Sequence, residues 1–167
     1  MLTTLSTFHN RCFLSDTSAQ ASQWLLHQVQ DIIAASDYTI ASAHRVVYGT
    51  YRGHAWPQNS TITTIPGKSS DTIVFGAHLD SIDRYDSMNG RAPDADDDGS
   101  RTVALLEVLR ALLADEKVRN GKWRVRLICI GTLSESRFTR ELGGVLGVGR
   151  RREECEGDSV GGFGGLY

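Results

Sequence analysis

His78 and Asp80 sit two residues apart at the end of the apolar run Thr72-Ile73-Val74-Phe75-Gly76-Ala77-His78, and shortly afterwards Asp94, Asp96, Asp97 and Asp98 crowd into five positions. On a strand, residues two apart face the same side, so the imidazole and the carboxylate lie together at the end of a sheet, where α/β folds place ligands. The histidine can bind a metal through one ring nitrogen while the aspartate accepts the N–H of the other, fixing tautomer and basicity. The acidic loop carries a mutual repulsion that a divalent cation would relieve. Each motif alone also has a plain structural reading: a strand-end histidine can belong to the fold, and an Asp-rich loop can be solvated and cap a helix. Both together, in this order, favour a metal site.

A calcium loop is the rival reading. Asp94, Asp96, Asp98 and Gly99 fit the opening of an EF-hand loop, which then needs a bidentate Glu at position 12. That position is Leu105, so the EF-hand is set aside.

The elements that must position these residues follow from periodicity. Asp16 or Thr17 can cap a helix with Trp24, Leu25, Val29, Ile32 and Ile33 along one face. Residues 39 to about 51 and 60–65 read as strands, the second running into the turn Pro66-Gly67. Residues 72–78 read as a strand buried on both faces. Asp98 or Ser100 can cap a second helix over residues 102–114, with Val103, Leu106, Leu109 and Leu113 on one side, and residues 123–130 form a further strand candidate. Strand, acidic loop, helix, strand is the rhythm of a parallel α/β sheet.

At 167 residues, 40% of them hydrophobic, the chain suits one domain with a real core. A net charge of -2 gives no reason to expect nucleic acid or an anionic membrane as partner. No apolar run approaches the roughly 18–20 residues that cross a bilayer, and residues 1–10 lack the pattern of a signal peptide. Cys12, Cys129 and Cys155 imply neither a disulfide framework nor a thiolate zinc site. Asn59-Ser60-Thr61 is a glycosylation sequon, relevant only on a secretory route. Beyond Gly131 the apolar periodicity stops. Glycine becomes dense, and Arg150, Arg151 and Arg152 stand beside Glu153 and Glu154. Residues 1–130 therefore read as the folded part, and residues 131–167 as a divergent, poorly ordered Gly/Arg-rich tail.

Both metal motifs, with Leu5-Ser6-Thr7-Phe8-His9-Asn10-Arg11, Gln23-Trp24-Leu25-Leu26, His54-Ala55-Trp56-Pro57-Gln58-Asn59-Ser60 and Thr64-Ile65-Pro66-Gly67, resemble the fungal-type leucine aminopeptidases of the M28 zinc metallopeptidases. The resemblance covers residues 1 to about 120 and implies the N-terminal portion of a three-layer α/β fold, with a mostly parallel sheet and flanking helices, left incomplete. It implies an aminopeptidase that removes amino-terminal residues from peptide substrates with two zinc ions, in a family that is secreted. Carried over, His78 is a zinc ligand, Asp80 is the catalytic-site carboxylate that orients it, and Asp97 bridges the metals. Family members usually have glycine where this chain has Asp94 and Arg101.

The family's later Glu-Glu motif has its nearest match at Arg140-Glu141. Glu141 would be a further zinc ligand, and Arg140 would stand in the place of the general base. A guanidinium cannot accept that proton, because it stays charged. No histidine follows His78, and Asp158 is the one aspartate after Asp115. The alternative function is therefore a catalytically inactive fragment or metal-binding remnant, its tail from about Gly131 arising from a frameshift or retained intron. A zinc amidohydrolase or cyclase on the same fold is a third reading. It is disfavoured because the flanking segments resemble the leucine aminopeptidases.

Overall fold

Apolar and small residues spaced three and four apart build the two long helices. The computed structural model describes residues 1–36, 41–46 and 57–132. In chain order the elements are α1 (Leu2–Leu5), α2 (Asp16–Ala34), β1 (Ser42–Val46), β2 (Ser60–Ile65), β3 (Thr72–His78), a kinked helical turn (Ala95–Ser100), α3 (Arg101–Ala114), α4 (Glu116–Arg119) and β4 (Arg126–Thr132). Of the strand expected over residues 39–51, β1 is the part that falls among the described residues. The tail expected over 131–167 lies outside them apart from the last two residues of β4.

Leu25, Val29 and Ile32 from α2 meet Leu106, Leu109 and Leu113 from α3, together with Ile65, Val118 and Leu127, in one apolar cluster. Burying each such aliphatic side chain contributes about 1.5–3 kcal/mol, which is what commits α2 and α3 to the same side of the sheet. Trp24 and Ile33, expected on the buried face, are partly buried at its margin, and Phe8 meets the Trp24 ring edge-on at 6.5 Å.

The cap of α2 is Ser15, rather than Asp16 or Thr17. Ser15 is extended and its hydroxyl oxygen accepts the Ser18 N–H at 3.1 Å, while Asp16 is already the first helical residue. Thr17 instead bonds Ser15 and Asn10 through its hydroxyl. Neither candidate caps α3 through its side chain. Ser100 is itself helical and its hydroxyl donates to the Asp96 carbonyl, and the Asp98 carboxylate is engaged by β3. The short helices α1 and α4 have too few residues for a periodic signal, though Asp115 caps α4 by accepting from the N–H groups of Lys117 and Val118.

The sheet order is β1-β2-β4-β3. The α/β class stands, but the described sheet is mixed rather than mostly parallel: β1–β2 and β2–β4 are antiparallel, and β3–β4 is parallel. The parallel pair is the one joined through a helix, β3 to α3 to β4, where a crossover allows it. The strand covered on both faces is β2, not β3. Ile62 and Ile65 lie on opposite faces of β2 and both are buried, Ile65 in the core with α2 and α3. Among the described strands β3 has β4 as its one neighbour, and its Ile73 is 44% exposed. The turn after β2 packs so closely on the backbone entering β4 that a side chain at Gly67 would lie 2.1 Å from the Val125 carbonyl carbon. Only glycine fits there.

The loop from β3 to α3 turns through Asp94 at φ 29°, a left-handed conformation that favours glycine. Two predictions follow from these backbone features. Ser15→Ala should cost about 1 kcal/mol in urea denaturation, whereas Asp16→Ala, at an exposed first-turn position, should cost at most about 0.5 kcal/mol. Asp94→Gly should be more stable than Asp94→Ala by about 1 kcal/mol, since both lose the carboxylate and only glycine relieves the backbone; equal midpoints would refute the strain.

Candidate metal centre

Parallel β3 delivers His78 to its carboxyl end, against the start of α3. The main chain of His78 is held from both sides: its N–H donates to the Asp98 carboxylate at 3.2 Å, and its carbonyl accepts from the Thr102 hydroxyl at 3.1 Å. Asp98 is 2% exposed, and its other oxygen lies 3.5 Å from Arg101 Nε. The acid loop is thereby pinned to β3 by one of its own carboxylates.

The imidazole lies between two further carboxylates. On one side Nδ1 is 3.1 Å from the Asp80 carbonyl oxygen and 3.3 Å from Asp80 Oδ1. The expected partner was the carboxylate; the nearer acceptor is the carbonyl, with the buried carboxylate oxygen beside it as an ion-pair partner. On the other side Nε2 is 3.1 Å from Asp97 Oδ1, and the Asp97 side chain is 84% exposed. The Asp80 carboxylate, as the largest influence, and then Asp97 raise the His78 pKa to about 9 against the opposing effect of burial. Without a metal the ring is a cation bridging two anions.

Of the residues singled out by sequence, the structure brings His78, Asp80 and Asp97 together. Asp96 is exposed, with its carbonyl taken by Ser100. Asp94 lies toward Arg11, not toward His78. Asn59 is half-buried just before β2, its N–H on the Ser22 hydroxyl. Glu141 and Arg140 lie outside the described residues. The role of Asp98 as a clamp was not legible, because its signal merged with that of its acidic neighbours.

The donor set suits zinc as far as it goes. Neutral imidazole and carboxylate are ordinary zinc ligands, and Nε2 and Asp97 Oδ1 face each other at 3.1 Å. The described residues contain no cluster of three or more His, Cys, Asp or Glu able to hold a metal. The described part of the site is thus a pair of facing donors and one orienting carboxylate.

Residues 60–132 match the sequence profile of Peptidase family M28. Leucine aminopeptidase 1 of Neurospora crassa is 43% identical over 146 residues, which cover 87% of this chain and 34% of that protein. The chain spans about a third of the length of such relatives. The LapA aminopeptidase of Legionella pneumophila has a similar structure, with a TM-score of 0.71 at 24% identity over 88% of this chain and 37% of that one. A Zn-dependent exopeptidase from Parabacteroides distasonis is similar at a TM-score of 0.55 and 17% identity, over 78% and 43% of the two chains. At these identities the structures speak to the fold alone. Residues 60–132 are thus recognised as a peptidase family M28 segment, and over 87% of its length the chain is similar to a leucine aminopeptidase.

Proposed function

We propose that the chain is a segment of a secreted zinc-dependent aminopeptidase, with His78 and Asp97 as metal ligands, Asp80 as the residue that orients His78, and Glu141 as a further ligand. The observation that carries this reading is the His78 ring set between the Asp80 and Asp97 carboxylates at the carboxyl end of β3. The family's zinc pair would polarise the carbonyl of a peptide and activate water. The chain's own residues prepare for it in distinct ways. Asp80 holds Nδ1 so that Nε2 is the nitrogen that faces Asp97. Asp97 presents an exposed carboxylate beside it, on the side a peptide can reach. Asp98 and Thr102 fix the main chain of His78, so that the ring is aimed before any ligand arrives. With Arg140 in the base position, proton transfer requires another acceptor; zinc binding without hydrolysis would mark the chain as a metal-binding remnant. Residues 1–130 are proposed as the family portion, and residues 131–167 as a divergent segment.

The test is zinc retained per chain after dialysis into metal-free buffer, followed by chelator-sensitive hydrolysis of an aminoacyl anilide. Zinc should be retained by the parent chain and lost by His78→Ala and Asp97→Ala, and Asp80→Asn should weaken affinity by about 10–100-fold. A parent chain that holds no zinc, or a His78→Ala chain that keeps it, would sink the proposal.

The zinc-free chain has its own signature. The His78 pKa is raised to about 9, above the unfolded value near 6.5. Its contribution to stability is therefore complete below about pH 6.5 and is lost as pH rises through about 9. A ring titration by NMR should give a midpoint near 9 for the zinc-free chain, and Asp80→Asn should lower it. An unshifted midpoint in the parent chain would contradict the bridging geometry.

A further inference from the structure

Arg11 is completely buried, yet among the described residues no carboxylate lies at bonding distance from its guanidinium. Its shorter bonds go to main-chain carbonyls on two separate stretches of the loop between β3 and α3, and Nη1 also reaches the Leu5 carbonyl of α1 at 3.5 Å. Nε donates to the Leu79 carbonyl at 2.7 Å, Nη1 to the Pro93 carbonyl at 2.7 Å and Nη2 to the Asp94 carbonyl at 3.1 Å. Leu79 lies between His78 and Asp80, and Asp94 begins the acidic run that ends in Asp97 and Asp98.

The main chain of Arg11 repeats the link. Its N–H donates to the Ser81 hydroxyl at 2.9 Å, its carbonyl accepts the Ser81 N–H at 3.2 Å, and the Ser81 hydroxyl donates onward to the Ala92 carbonyl at 2.7 Å. The residue before it continues the pattern, with the Asn10 side chain donating to the Met88 and Gly90 carbonyls. A rigid planar fork with donors pointing in several directions can span two stretches at once; a lysine ammonium, a single point of charge, cannot reproduce that fork. Burying the charge lowers the Arg11 pKa, and the nearby Asp94 and Asp80 charges oppose that shift.

We infer that Arg11 is a positioning residue for the candidate metal centre: by tying the Leu79 carbonyl to the Pro93 and Asp94 carbonyls, its guanidinium sets the spacing at which Asp97 faces His78. The inference rests on the proposed zinc reading for its function, though the spacing itself can be tested without metal. Two main-chain groups report on it: the His78 N–H bonded to Asp98, and the Gly99 N–H bonded to the Asp94 carbonyl at 3.3 Å.

The experiment is residue-resolved hydrogen exchange on the zinc-free full chain, parent against Arg11→Lys, followed by zinc titration of both. Exchange at His78 and Gly99 should accelerate by about tenfold or more, with the amides of α2 and of the β2–β4 ladder changing by less than about twofold. Zinc affinity should then fall by about tenfold or more in a chain whose circular dichroism is unchanged. Acceleration spread evenly over all core amides would show a general stabiliser and overturn the inference, as would unchanged exchange at His78 and Gly99. Should Arg11→Lys fail to fold, Arg11→Gln, whose short amide cannot span the two stretches, is judged by the same exchange pattern. A parent chain that binds no zinc would defeat the functional reading, and the exchange pattern would still decide the role of Arg11.

Discussion

Five carboxylates gathered at one end of β3 set the constraint to which the rest of this structure answers. Asp80, Asp94, Asp96, Asp97 and Asp98 converge where α3 begins. Each is dealt with differently. Asp96 and Asp97 stay in water, where screening weakens their repulsion. Asp98 goes inward and spends its oxygens on the His78 N–H and Arg101. Asp80 and Asp94 share the field of buried Arg11, which approaches from the protein side. His78 takes a proton and sits between Asp80 and Asp97 on the open side.

Much of this arrangement was legible in the sequence because it depends on local spacing. Short extended runs bounded by turn residues placed β2 and β3, period-three-and-four recurrence placed α2 and α3, and the two-residue offset put His78 beside Asp80. What was not legible depends on contacts far apart along the chain. The polar-looking strand Ser60–Ile65 is buried along nearly its whole length, while the apolar strand Thr72–His78 is half-exposed, because burial depends on what distant parts of the chain pack against each strand and that is not written locally. The same holds for Arg11, whose partners lie about seventy to eighty residues away. Its identity gave no local clue beyond the segment it belongs to. The Ser15 cap was missed for a smaller reason: three consecutive capping-type residues, Ser15, Asp16 and Thr17, compete, and the path of the chain from Asn10 chooses among them.

The proton on His78 explains how the described part of the site can hold its shape without a metal. A site built only of mutually repelling ligands would spread when empty, and binding would then carry the cost of regathering them. Here a neutral ring, with a single N–H, could donate to only one of Asp80 and Asp97, whereas the imidazolium bridges both at distances of 3.3 and 3.1 Å. The proton occupies the position in the charge balance that a cation would take, and the ring nitrogen that carries it toward Asp97 is the one that would bind. Arg11 and Asp98 fix the main chain around that exchange, so that replacing the proton requires a change of occupant rather than of fold. Buried charge beneath the loop and a titratable bridge above it are therefore two parts of one solution to the same repulsion.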